Sequence, residues 1–436
     1  MEDLYGNLVT AQNPKTIEGI NRFTESLIGF GTDFGVIFEA SDEDPSCALA
    51  ASLAGLLGLF METPDRLEIA ERYFQRALKN APVASTREQI LIEALWASNC
   101  GDLEKAIKCH KRLAVEFPRD LLSVKIGQTL CFNLGDDEGM LWLADQVIGE
   151  HQDTAYAHGM RAFGLEQMSY LEEAEEAARH ATSLKRREPW AHHAAAHVML
   201  TQGRLDDGIS WMMEHSDEWE GCNSFMYTHN WWHLALFYLE GEDFQSALKL
   251  YDERVWTRDK TYSEDQINAI SLLWRLEIAG VDVGNRWQEL AEFVSARTLI
   301  NDQPFLDMQY AFALARGEKH EELEHLLQGM DAMQVRAPKL TRTVWRDVAY
   351  PAAQAFVAFA NANYNRVVDL LGPARAHLQK VGGSHAQRDL FEQIWITSLL
   401  RAGQTQEAIG LLQARVNFRK TVPLDKSWLA AAQSTV

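Results

Sequence analysis

Apolar residues recur along this chain at spacings of three and four, the signature of helices with one buried stripe. From Ala70 the pattern also carries a longer beat. Ala70, Phe74, Ala77 and Pro82 are answered by Ala106, His110, Leu113 and Pro118. Equivalent small or apolar positions follow at Met140, Ala174, Ile209 and Ala247, with steps of 36, 34, 34, 35 and 38 residues. Turn signals keep the same time at Gly101-Asp102, Gly135-Asp136, Gly203-Arg204 and Gly241-Glu242. Glycine suits the reversal after a helix C-terminus because it enters the left-handed region without strain. No stretch alternates long enough to predict a strand.

A beat near 34 matches the spacing of a tetratricopeptide-like helix hairpin, in which small residues let two helices approach and proline stops the second. The expected fold is an all-α solenoid of such hairpins, curved around a concave pocket. Its expected divisions are an N-terminal helical segment (1–45), regular repeats (46–255), a degenerate helical region (256–345), degenerate C-terminal repeats (346–418) and a peripheral tail (419–436). In the degenerate region helical segments such as Gln266 to Ile278 persist without the Ala/Phe/Ala/Pro pattern, and Gly317-Glu318 marks one more turn.

Composition narrows the function. The 436 residues are 47% hydrophobic, enough for an extensive core, and carry a formal net charge of −21. So acidic a surface repels phosphate backbones and anionic lipids, so neither nucleic acid nor membrane is an expected partner. Five scattered cysteines without a CxxC spacing read as free thiols in a reducing compartment, and the N-terminus has no secretory pattern. The expected location is the cytoplasm.

The most specific chemistry lies between Pro189 and Leu239. His193 and His197 are four residues apart, as are His229 and His233, so each pair stacks on one helix face. Both pairs fall on the first helix of a hairpin, the helix expected to line the concave side. Four converging imidazoles suit three roles: divalent metal ligands, acid–base or ligand-binding groups, or structural core residues. The glutamate of a zincin HExxH helix is absent. His192 points about 100° away from His193. Glu166 on the preceding repeat is a candidate to orient an imidazole, with an ordinary helix carboxylate as the alternative. Further along, Gly382-Gly383-Ser384 with Gln387 predicts a capping box. Arg388 beside that helix start suggests an anion site, unless it forms an ordinary ion pair with Asp389.

Taken together, these residues resemble the tetratricopeptide-repeat protein 38 family. The matching pieces are Phe163-Gly164-Leu165, His193 with His197, Trp219, His229-Asn230 with Trp232-His233, and Tyr251-Asp252. They continue through Arg275-Leu276, Gly280-Val281, Val283-Gly284, Arg286-Trp287, Phe305 with Asp307, Arg346-Asp347-Val348, and Gly382 to Asp389. The resemblance implies an all-helical repeat fold and no particular activity. Two positions depart from it. Leu200 stands where the family usually has glutamate, and Gln309 where a D-x-H stretch has histidine. Both changes remove side chains able to bind a metal or move a proton.

The functional expectation is a protein that binds a small molecule in a histidine-rich concave pocket, with an enzyme of specialised metabolism as one form. The pocket residues are His193, His197, His229 and His233 with Asn230, Trp232, Asp307 and Arg388. The alternative is a non-enzymatic scaffold holding a peptide or partner protein in its groove. A divalent metal is a possible cofactor only through the four histidines.

Overall fold

The computed structural model describes residues 1–61 and 63–435. From Pro14 onward they form helices joined by short turns. The extended pairing among them is a single bridge between Glu2 and Leu8. The described chain forms two compact units, one of residues 1–132, 136–191 and 221–223, the other of 133–135, 192–220 and 224–436. Both are built from antiparallel helix hairpins.

One closure is used throughout. The amide of Asp102 donates to the Ala97 carbonyl at 2.8 Å, five residues back. The same bond recurs at Asp136 to Cys131, Tyr170 to Leu165, Arg204 to Met199, Asp243 to Tyr238, Val281 to Leu276, Lys319 to Leu314, Asn363 to Ala358 and Gln404 to Leu399. This is the Schellman arrangement, which needs a left-handed residue just before the donor. Gly101, Gly135, Ser169, Gly203, Glu242, Gly280, Glu318, Ala362 and Gly403 take that conformation. The first four lie 34 residues apart, and the later steps are 39, 38, 38, 44 and 41. Asp102, Asp136, Asp243 and Asn363 then cap the following helix with their side chains.

The beat was therefore read correctly, with two corrections. At Gly241-Glu242 and Gly317-Glu318 the left-handed residue is the glutamate, not the glycine. Hairpins also continue through the region from 256 to 345, although its sequence lacks the small-residue pattern. The longer steps accommodate a 3₁₀ turn at Ser216–Trp219 and five-residue π turns at Tyr251–Val255 and Trp345–Ala349.

In the first unit, helix Ala48–Phe60 is buried over nearly its whole length against Arg66–Asn80 and Thr86–Asn99. The buried Arg87 guanidinium pairs with Asp3 and Asp120, each at 3.0 Å, and so anchors the N-terminal segment. In the second unit, helix Ser224–Glu240 is the central element. It packs against Leu205–His215, Ser263–Ile278 and Pro423–Gln433. Gly208 permits one of these approaches, since a Cβ there would lie 2.2 Å from the Phe237 ring.

The segment after Arg419 is not a peripheral tail. Val422 is fully buried, Thr421 donates to the Gly203 carbonyl at 2.6 Å, and Pro423–Gln433 is a helix. Arg419 donates to Glu240 at 2.7 and 2.8 Å and to Asp425 at 2.8 and 3.1 Å. Arg415 bridges Asp425 and Asp389. A long-range ion network makes this segment part of the core.

Candidate metal centre

Helix Pro189–Gln202 carries Ala191, Ala194, Ala195, Ala196, Val198 and Met199, all fully buried. With apolar or aromatic groups on every face, it and Ser224–Glu240 are enclosed on all sides. The four histidines therefore do not line an open concave face. His193, His197, His229 and His233 are 0–3% exposed.

They do converge. One ring nitrogen from each lies within 4.8 Å of the others. His193 Nε2 is 3.1 Å from His229 Nε2 and 3.0 Å from His197 Nε2. The ring of His233 sits 4.5–4.8 Å from the other three, centroid to centroid.

The protonation of His229 is set by a chain of polar groups. Its Nδ1 lies 2.8 Å from Asn268 Oδ1, which can only accept. Asn268 is held in that orientation because its Nδ2 donates to Thr228 Oγ1 at 3.2 Å, and Thr228 lies 2.9 Å from Asp265 Oδ1. His229 Nδ1 thus carries the hydrogen, and its Nε2 presents a lone pair to His193. Two bare imidazole nitrogens at about 3 Å repel, so a proton or a cation must lie between them. Tetrahedral zinc with bonds of 2.0–2.1 Å would space its nitrogen ligands at about 3.3 Å, close to the 3.1 and 3.0 Å that separate His193 from His229 and His197.

Burial dominates the electrostatics. It lowers His229 to a pKa of about 3, with the Asn268 bond opposing and His197 adding to the fall. His233 is driven well below its ordinary value by burial first, then by His197, His229 and the Arg275 charge. Repulsion from the neighbouring imidazoles is secondary. Neither nitrogen of His233 has a hydrogen-bond partner among the described residues. Asp265 rises to about 6, again mainly through burial, against the pull of Ser224, Thr228 and the Asp259 amide.

Trp232 forms the adjacent wall. Its indole stacks on His229 at 5.1 Å and 10°, meets His233 edge-on, and lies under the Arg275 guanidinium at 5.6 Å. Arg275 also donates to the Ala386 carbonyl at 2.6 Å, joining the capping-box segment to this wall.

Other residues named from the sequence are placed elsewhere. Asn230 is fully buried one position beyond His229. Asp307 stands outside the four-histidine group and accepts from Asn301 at 3.0 Å. Arg388 turns back onto the carbonyls of Gly382 and Gly383, while Asp389 pairs with Arg415 instead of Arg388. The Ser384–Gln387 capping box is present. His192 faces away from the cluster as expected: Trp219 donates to its Nδ1 at 3.2 Å, and its ring packs on Trp211 and His215. Glu166 is buried and accepts from Gln167. Gln309 is also buried and bonds the Phe305 carbonyl at 3.0 Å.

Sequence reasoning missed Asp265, Thr228 and Asn268. A signal existed on helix Ser263–Ile278. Asp265, Asn268, Ser271 and Arg275 recur at spacings of three, three and four within a run of apolar residues, and all four are buried. A polar stripe facing inward on an otherwise apolar helix needs partners there.

No protein-family model matches the chain. Among solved structures, a crystal structure of the tetratricopeptide-repeat domain of P58(IPK) is similar over 74% of this chain and 99% of that one, at 12% identity and a TM-score of 0.21. A TM-score that low carries no argument. The all-helical hairpin architecture rests on this chain's own elements. Among the described residues no helix is long and apolar enough to cross a membrane.

Proposed function

We propose that this helical-repeat protein binds a divalent transition-metal ion through His193, His197, His229 and His233. The observation that carries the reading is the convergence of four buried imidazole nitrogens within 4.8 Å. The space they enclose suits an ion, and imidazole donors suit zinc, copper, nickel or iron. Asn268 supplies the hydrogen-bond acceptor that metal-bound imidazoles usually have behind them. This replaces the organic small molecule as the ligand of the histidine site. Membership of the tetratricopeptide-repeat protein 38 family and a cytoplasmic location belong to the same reading. The motifs from Phe163 to Asp389 support the first, and the unbonded cysteines support the second.

The test is elemental analysis of protein purified without a metal-affinity column, followed by cobalt(II) loading. One equivalent of metal, lost in H197A and H229A, is expected, together with the intense visible bands of tetrahedral cobalt. Failure to retain zinc, copper, nickel, iron or cobalt after dialysis would overturn the proposal.

A further inference from the structure

The hydrogen bonds behind His229 run in one direction and end on a carboxyl. His229 Nδ1 donates to Asn268 Oδ1 at 2.8 Å, and Asn268 Nδ2 donates to Thr228 Oγ1 at 3.2 Å. The Thr228 hydroxyl, having accepted one bond, keeps its own hydrogen for a further acceptor. The nearer of its two acceptors is Asp265 Oδ1 at 2.9 Å, the other being the Phe225 carbonyl at 3.1 Å. Asp265 Oδ2 accepts from the half-buried Ser224 hydroxyl and from the amide of exposed Asp259 at 3.3 Å. Every donor on the path therefore points away from His229 and toward Asp265.

Asp265 also differs from the acids that pair with arginine in its unit. It is 1% exposed and forms no ion pair with any described residue. Glu240 and Asp425 share Arg419, and Asp389 pairs with Arg415. The charged group acting on Asp265 is Asp259, which opposes its ionisation. A buried carboxylate is costly without a cation to balance it. The four histidines pose the converse problem. As neutral ligands they leave a divalent ion its full charge in the interior, and the Arg275 guanidinium over Trp232 adds to it.

We propose that Asp265 is the counter-charge of the metal centre, joined to it through Thr228 and Asn268, an inference that rests on the four-histidine metal site. With a cation on Nε2, the His229 ring donates more strongly through Nδ1, and each bond behind it is polarised toward Asp265. The ion and the ionised carboxyl therefore favour each other. Metal uptake and release of the Asp265 proton to solvent are linked, so each shifts the other by the same factor. In the metal-free protein burial raises this carboxyl to about 6, which leaves it partly protonated in mild acid.

The experiment follows the aspartate carboxyl carbons of the whole protein by carbon-13 NMR from about pH 5 to pH 8, metal-free and loaded with zinc alone. One carboxyl, assigned by its loss in D265N, should titrate at about pH 6 without metal and about one pH unit lower with zinc. By the same linkage D265N should bind zinc about tenfold more weakly near neutral pH, read by chelator competition. A merely structural role would weaken binding without moving the carboxyl's midpoint. Zinc bound with that midpoint unmoved, or a D265N protein of wild-type zinc affinity, overturns this inference and leaves the metal site standing; no bound zinc overturns both. The raised midpoint sets Asp265 apart from surface aspartates, so the wild-type titration decides the matter even where D265N fails to fold.

Discussion

His229 Nδ1 lies 2.8 Å from Asn268 Oδ1, and that contact decides which nitrogen of His229 faces the other histidines. Removing it in N268A leaves a buried N–H without its acceptor. Stability should fall by about 1–3 kcal/mol. Metal affinity should fall about 10- to 100-fold, because the ring loses its fixed orientation. Chelator competition and urea titration read the two effects separately. An N268A protein with wild-type metal affinity would remove Asn268 from the centre.

Two buried histidines of the metal-free protein should favour unfolding in mild acid. His229 and His110 have folded pKa values of about 3 and about 4, both lowered by burial, against an unfolded value of about 6.5. The unfolded chain therefore binds more protons between those limits. The stability these neutral rings contribute is complete above pH 6.5 and is lost as pH falls toward 4 and then 3. Each should add a slope of about 1.4 kcal/mol per pH unit inside its window. Asp265 and Glu188, with folded pKa values raised to about 6 and about 8, add the opposite slope in the same range, so the rings are followed directly: NMR titration should find both imidazoles neutral at pH 5, and protonation of either near pH 6.5 would contradict its neutral burial.

Replacing Arg419 tests the C-terminal network. R419L leaves Glu240 and Asp425 buried without their shared guanidinium. A loss of about 3–5 kcal/mol is expected, the usual cost of breaking one side of a buried ion pair. A peripheral tail would instead tolerate the change with no shift in the denaturation midpoint.

Ser169 offers a stabilising substitution. It sits exposed at a φ of +63° in a hairpin turn whose counterparts at 101, 135 and 203 are glycines. S169G should raise stability by roughly 0.5–1 kcal/mol, by relieving the Cβ clash of the left-handed conformation against some added chain entropy. Calorimetry should show a small rise in Tm; a fall would mean that the serine side chain supports the turn.

The cysteines give a chemical count. Cys47, Cys100, Cys109, Cys131 and Cys222 are all unbonded. Thiol titration of protein unfolded without reductant should recover five groups, and a shortfall of two would reveal a disulfide.

The hairpins were legible because their closure is local: a left-handed residue, a cap and a helical stripe all lie within a few positions. The Ser169 turn escaped notice because its backbone takes the conformation without the usual residue. The meeting of the four histidines was also legible, since i,i+4 spacing and adjacent hairpins bring them together. Their depth was not. Whether His193 faces a groove or a core depends on helix Ser263–Ile278, whose polar stripe carries the partners of His229 some 39 residues away. Arg388 and Asp307 looked like pocket residues because a charged side chain has the same letter whether it binds a ligand or a neighbouring carbonyl.

The reach from Glu240 to Arg419 spans 179 residues, and that from Arg275 to Ala386 spans 111. A repeat array whose units touch only their neighbours can settle from any point along its length. This one cannot do so during synthesis. The ribosome has made both histidine helices long before it makes the residues that neutralise Glu240 and hold Arg275 over Trp232. Until then Glu240 lacks both its counter-ion and the Pro423–Gln433 helix that packs on its own helix. A chain released early would keep every histidine and still lack a finished centre.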